Sequence, residues 1–107
     1  MDAQLKKGLL DFCVLATLYR GDSYGWQIIK DIGLVMELSE STLYPVLKRL
    51  QAASLVTTYD EPYNGRLRRY FKITKSGRLR LSEFEREYEA VANVYNYIMG
   101  AIQEGEQ

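Results

Sequence analysis

The sequence predicts a mainly α chain carrying one β-hairpin, an α+β arrangement, and three observations lead there. Apolar residues recur at helical intervals in four separate stretches. Two β-branched and aromatic segments bracket one turn-rich pentapeptide. The last helical stretch keeps a heptad pattern for longer than its own domain needs. With 107 residues, 47% of them hydrophobic, the chain should bury a single modest core and leave no room for a second independent domain.

From Gln4 to Tyr19, the residues Leu5, Leu9, Leu10, Cys13, Ala16 and Leu18 define a first helix, which Gly21-Asp22 breaks. Ser23 is placed to cap a second helix through Trp26, Ile28, Ile29 and Ile32, ending near Gly33. Ser39 stands at the N-cap of a third, whose Leu43, Val46, Leu47 and Leu50 fall at i, i+3, i+4 and i+7 and form a core face. The opposite face aligns Ser41, Pro45, Lys48 and Ala52, flanked by Tyr44 and Arg49. Pro45 cannot donate to the Ser41 carbonyl and is expected to bend the helix there.

Leu55 to Tyr59 and Arg68 to Thr74 read as paired strands around Glu61-Pro62-Tyr63-Asn64-Gly65. Alternation turns Phe71 and Ile73 inward and Arg68, Tyr70 and Lys72 outward, with Arg69 on the Phe71 side and Arg66 just past the tip. Thr74 caps a long final helix in which Leu81, Phe84, Tyr88, Val91, Tyr95, Ile98 and Ile102 are spaced alternately three and four apart. A seam of that kind predicts pairing with a second copy, and Leu5 and Leu9 of the first helix join the expected interface. The polar residues after Ile102 are expected to fray.

Composition removes several chemistries. There is no histidine and a single cysteine, Cys13, so imidazole triads, the common zinc sites and an internal disulfide are all excluded. No phosphate-cradling glycine loop occurs, and no cofactor is expected. Glu83, Glu85, Glu87 and Glu89 alternate along a helix instead of converging, which favours a solvated face over a catalytic one. No apolar run approaches the ~20 residues of a membrane span, so a cytoplasmic protein without membrane association is expected.

The formal net charge is zero, yet residues 48–80 hold nine Lys and Arg against Asp60 and Glu61. Charge segregated in this way presents a basic face to phosphates while acidic surface elsewhere limits indiscriminate binding. Three helices, a hairpin and a long helix make the order of a winged helix-turn-helix with an added dimerisation helix, the former over residues 1–75 and the latter over 76–107. In that layout the third helix enters the major groove and the hairpin wing follows the neighbouring backbone. Ser39, Ser41, Thr42, Tyr44 and Lys48 are candidates for the groove, joined by Tyr24 at the start of the second helix. Arg66, Arg68, Arg69 and Lys72 are candidates for phosphates or a narrow minor groove.

These residues resemble the PadR family of regulators. Ser23-Tyr24-Gly25-Trp26-Gln27-Ile28 is similar to that family's second-helix start. The run from Leu38 through Ser41-Thr42-Leu43-Tyr44-Pro45-Val46-Leu47 to Leu50 is similar to its recognition helix. Gly65 through Arg68-Arg69-Tyr70-Phe71-Lys72-Ile73-Thr74-Lys75-Ser76-Gly77 is similar to its wing strand and last-helix start. The family often carries proline where Arg66 stands and a basic residue where Leu67 stands, so the wing departs from the pattern at its tip. The resemblance implies a two-fold dimer built by the last and first helices, binding to an inverted-repeat DNA operator, and repression. Its members with a short last helix further imply a planar aromatic ligand between subunits, for which Phe12, Tyr88 and Val91 are the candidate pocket. Two other readings stay open: a winged helix used only for protein binding, which would not need arginines at the wing, and an enzyme resting on carboxylates alone.

Overall fold

The structure, a computed structural model, describes residues 2–106. Its elements are α1 (Ala3–Arg20), α2 (Gly25–Ile32), α3 (Glu40–Ala52), β1 (Val56–Tyr63), β2 (Arg66–Ile73) and α4 (Lys75–Gly105). This is a winged helix in which α1, α2 and α3 enclose one core and the β1–β2 ribbon closes its side. Leu10, Val14, Leu15 and Leu18 of α1 meet Ile28 and Ile32 of α2 and the α3 stripe Leu43, Val46, Leu47 and Leu50. Val56, Phe71 and Ile73 complete the cluster from the strands. Trp26, read as one of the apolar positions of α2, is instead exposed, with the Lys30 ammonium 4.4 Å from its ring centre.

Ser23 does not cap α2. Tyr24 occupies the N-cap, while Ser23 forms a single antiparallel bridge with Phe71, its N–H donating to the Phe71 carbonyl at 3.1 Å and its carbonyl accepting in return at 2.7 Å. One residue of the α1–α2 connection thus acts as a third strand that anchors the wing to the core. Ser39 is the N-cap of α3 by position, but its hydroxyl bonds to the hydroxyls of Ser41 at 3.0 Å and Thr42 at 3.1 Å and not to a backbone N–H.

The hairpin is longer and tighter than the expected five-residue turn. Strand pairing runs without a break from Val56↔Ile73 to Tyr63↔Arg66, leaving only Asn64-Gly65 as the turn. Both turn residues have positive φ, 50° and 78°, as a two-residue turn that matches strand twist requires. Pro62 lies inside β1, which a two-stranded ribbon tolerates because each strand has an unpaired edge.

At the ribbon's base the Thr74 hydroxyl accepts from Gly77 N–H at 3.1 Å, capping α4 as expected, and donates to the Ser54 carbonyl at 2.7 Å. A methyl group at Gly77 would overlap the Leu55 carbonyl oxygen, so the first turn of α4 lies directly on the chain entering β1. The helix then leaves the body of the molecule and continues past Ile102 to Gly105, where fraying was expected. The radius of gyration is 17.1 Å, against about 13 Å for a compact chain of this length. Among the described residues no helix is long and apolar enough to cross a membrane.

Candidate nucleic-acid interface

The outer side of α3 is open. Ser41, Thr42, Tyr44 and Lys48 are all exposed, on the side opposite the buried leucine stripe. Tyr44 is held at its hydroxyl end over Gly25, where any Cβ would overlap the phenol. The glycine at the start of α2 thus leaves the room in which the Tyr44 ring stands. Tyr44, Lys48 and Gln51 share a groove with Arg69 and Phe71, so the alternation that turns Phe71 inward also aims Arg69 at α3. Arg69 pairs with its cross-strand neighbour Asp60 at 3.5 Å.

The other face of the ribbon carries Tyr59, Tyr63, Arg66, Arg68, Tyr70 and Lys72, as the register dictates. Arg66 and Lys72 are exposed there. Arg68 is not a free cation: its guanidinium carbon lies 3.9 Å from the ring centre of Tyr24 and 3.3 Å from that of Tyr63, and it donates to the Tyr70 hydroxyl at 3.3 Å. Burial works against its charge, but hydrogen bonding to Tyr70 and Tyr63 and the phenols around it leave its pKa above the ordinary value. Arg68 stands on the outward face as expected, but its guanidinium is held between the rings of Tyr24 and Tyr63, so Tyr24 serves as one wall of its enclosure.

The aromatic row continues. Tyr70 lies edge-on to Tyr24 at 5.7 Å and stacks on Tyr59 at 5.5 Å, and the Tyr59 hydroxyl donates to Asp22 at 2.7 Å. That hydrogen bond, with desolvation behind it, pushes the Tyr59 pKa up to about 12. Tyr59 and Asp22 carry no sequence signal, because they meet across 37 residues of chain, and Tyr63, five residues from Arg68, meets it only once the strand pairing is extended to the turn.

On the opposite flank of α3, a second cleft of about 460 Å³ runs between that helix and the start of α1, lined by Lys6, Lys7, Ser41, Thr42, Pro45 and Arg49. Arg49 forms an ion pair with Asp11 of α1. Lys6 and Lys7 carry no sequence signal of their own, since only the packing of α1 beside α3 brings them to this cleft.

The heptad seam divides into two parts. Leu81 packs on the core, Phe84 stacks on Phe12 at 4.3 Å, and Leu9 is also half-buried against the core, so these interface candidates are engaged by their own chain. Leu5, Tyr88, Val91, Tyr95, Ile98 and Ile102 are exposed. Phe84 stands between Phe12 and Tyr88 in this aromatic row, its ring centre 6.2 Å from that of Tyr88, while Val91 lines an apolar groove with Val94, Tyr95 and Ile98. Cys13 is half-buried and burial pushes its thiol pKa up, in keeping with a packed, unreactive side chain.

The family model described as "Transcriptional regulator PadR-like family" matches residues 14–83. A PadR-like transcription factor from Bacteroides fragilis superposes with a TM-score of 0.79 at 30% identity, covering 90% of this chain and 95% of that one. The transcriptional regulator Rv3488 of Mycobacterium tuberculosis is 40% identical over 55 residues, 51% of each chain. Bacillus subtilis PadR, solved in complex with operator DNA, shares the fold with a TM-score of 0.65 at 22% identity, covering 70% of this chain and 45% of that one. The winged-helix core, the Leu43-Tyr44-Pro45-Val46-Leu47 helix and the family match agree: the chain belongs to the PadR-like family of transcriptional regulators, which are not enzymes.

Proposed function

We propose that the protein is a homodimeric, sequence-specific DNA-binding repressor that reads an inverted repeat through α3. The observation that carries this is the open face of α3, with Ser41, Thr42, Tyr44 and Lys48 exposed beside a basic ribbon. A helix lying in the major groove places base edges against Ser41, Tyr44 and Lys48. The DNA backbone bordering the groove then falls beside Gln51 and Arg69, and Arg66 at the wing tip reaches the next phosphates or minor groove. Arg68 orients the wing from between Tyr24 and Tyr63 and leaves the outer contacts to Arg66 and Lys72. Residues 1–75 read DNA, and 76–107 pair the subunits through Tyr88, Val91, Tyr95, Ile98 and Ile102, with Leu5 from α1.

Repression relieved by a planar aromatic compound is the regulatory part of the proposal, the compound entering between the subunits beside Phe12, Tyr88 and Val91. Anisotropy titration of a duplex selected from a random pool, over a salt series, tests the whole. Nanomolar-order affinity falling steeply with salt is expected. Arg66→Ala should weaken selected and random DNA alike and lower the salt slope by about one per subunit. Tyr44→Ala or Lys48→Ala should cost about 1–3 kcal/mol mainly on the selected site. Binding no better than to bulk DNA, with the wing substitution inert, would replace this reading with a protein-binding winged helix.

A further inference from the structure

We propose that the α1–α3 cleft is a second backbone clamp, in which Lys6 and Lys7 bind phosphates of the DNA strand on the far side of the major groove from the wing. The inference rests on the DNA-reading function proposed above and adds a binding site to it. A major groove is about 12 Å wide and is bounded by one sugar-phosphate chain on each side. A helix inserted in it therefore has two flanks to satisfy. On one flank of α3 stands Arg69, in the groove that the helix shares with the wing. On the other stands the cleft in which Lys6 and Lys7 face Ser41, Thr42 and Pro45.

The spacing of α1 makes the assignment specific. Ala3, Lys6, Lys7 and Leu10 recur at i, i+3, i+4 and i+7 and all four line the α3 cleft, whereas Leu5, Leu9 and Phe12 fall on a different face. The start of α1 can thus hold DNA on one side and a second subunit on the other. Arg49, the third base of the cleft, is neutralised by Asp11. Among the described residues no carboxylate lies within ion-pair distance of Lys6 or Lys7. Lys6 is half-buried and lines the cleft with Leu10, Pro45 and Val46, a setting in which a lysine can rest its stem on apolar surface and keep its ammonium in water. The ligand chemistry is a phosphodiester, recognised by charge and not by base, so the clamp sets affinity and register without sequence preference.

The test is the double variant Lys6→Gln with Lys7→Gln, which removes both charges and leaves polar, helix-compatible side chains, measured on the intact dimer with the selected duplex and a random one. Binding to both should weaken equally, on the order of tenfold to a hundredfold at about 0.15 M salt, and the salt slope of the dimer should fall by about three to four. Ethylation interference should lose phosphates on the strand opposite the wing and keep those at the wing. Lys6→Arg with Lys7→Arg should restore affinity, slope and interference pattern. An unchanged slope and unchanged interference in the glutamine variant, while Arg66→Ala still lowers the slope, would overturn the clamp and leave the DNA reading standing. Wild-type protein that prefers no DNA would instead remove the underlying reading and the clamp with it.

Discussion

Two helices of this molecule carry the same apolar spacing and meet opposite fates. In α3, Leu43, Val46, Leu47 and Leu50 are at most 5% exposed. In α4, Tyr88, Val91, Tyr95, Ile98 and Ile102 are between 48% and 62% exposed. Periodicity alone reports that a face is apolar and says nothing of what covers it. For α3 the cover is α1, α2 and the ribbon of the same chain. For α4 the chain supplies cover only as far as Leu81 and Phe84, after which the helix extends into open space. Even the flanks of that outer segment are apolar, with Val94 and Tyr97 exposed beside the seam. Exposed apolar surface on this scale marks an interaction site.

The largest expected effect breaks the comparison at the uncovered helix. Val91→Glu with Ile98→Glu would place unpartnered charges in the proposed seam, weakening association by at least about a thousandfold, roughly 4 kcal/mol or more. Sedimentation velocity should show monomer at concentrations where wild type is dimeric. Circular dichroism should still report a folded head, because neither residue touches the core cluster. Wild type sedimenting as a monomer, or a double variant that stays dimeric, would overturn the seam.

The covered helix should respond in the opposite manner. Leu47→Ala removes a side chain that is 1% exposed and should cost about 2–5 kcal/mol of folding stability. Urea unfolding at fixed protein concentration measures it, since dimerisation couples to stability. A loss below about 1 kcal/mol would mean that the α3 stripe is less well covered than its burial indicates.

Sequence reading located both stripes, the hairpin and the Thr74 cap because each is a local signal. It misjudged what depends on partners distant in the chain. Ser23 has the chemistry of a cap, but a one-residue bridge to Phe71 leaves no periodicity to detect. The Asn64-Gly65 turn is present as a dipeptide, yet it closes a pentapeptide with turn chemistry, so Glu61, Pro62 and Tyr63 read as turn where they pair with Arg68, Leu67 and Arg66. Arg68 reads as a free cation because Tyr24, one wall of its enclosure, is 44 residues away, and because Tyr63, the other, reads as part of the turn. Lys6 and Lys7 gained meaning only when α1 was seen to lie along α3.

A medium effect sharpens the comparison at two glycines that allow close approach. A methyl group at Gly77 would strike the Leu55 carbonyl oxygen and the Ile73 side chain, both within the closed part of the fold. Gly77→Ala should cost about 1–3 kcal/mol. At Gly25 the obstacle is the end of the Tyr44 side chain, which can swing outward. Gly25→Ala should leave thermal stability nearly unchanged while weakening binding to the selected duplex more than to random DNA. Equal stability losses at the two sites would show that Tyr44 is as fixed as the backbone.

The smallest effect concerns how firmly the wing is closed onto the head. The Tyr59 phenol donates to Asp22, and its pKa rises from 10.0 to about 12 in the folded protein. A group whose folded pKa exceeds its unfolded value stabilises fully below the unfolded pKa and ceases to do so as pH rises through the folded one. The Tyr59–Asp22 contact should therefore contribute unchanged through neutral pH and be lost between about pH 10 and 12. Ultraviolet titration should show a late tyrosinate step that disappears in Tyr59→Phe, whose stability at neutral pH should drop only slightly because the contact is solvent-exposed. In Asp22→Asn the step should move to lower pH, since the carboxylate that opposes ionisation is gone. Superimposable alkaline titrations of wild type and Tyr59→Phe would show that the wing is not held at this point, and would leave the Ser23–Phe71 bridge and the Arg68 enclosure as its attachments.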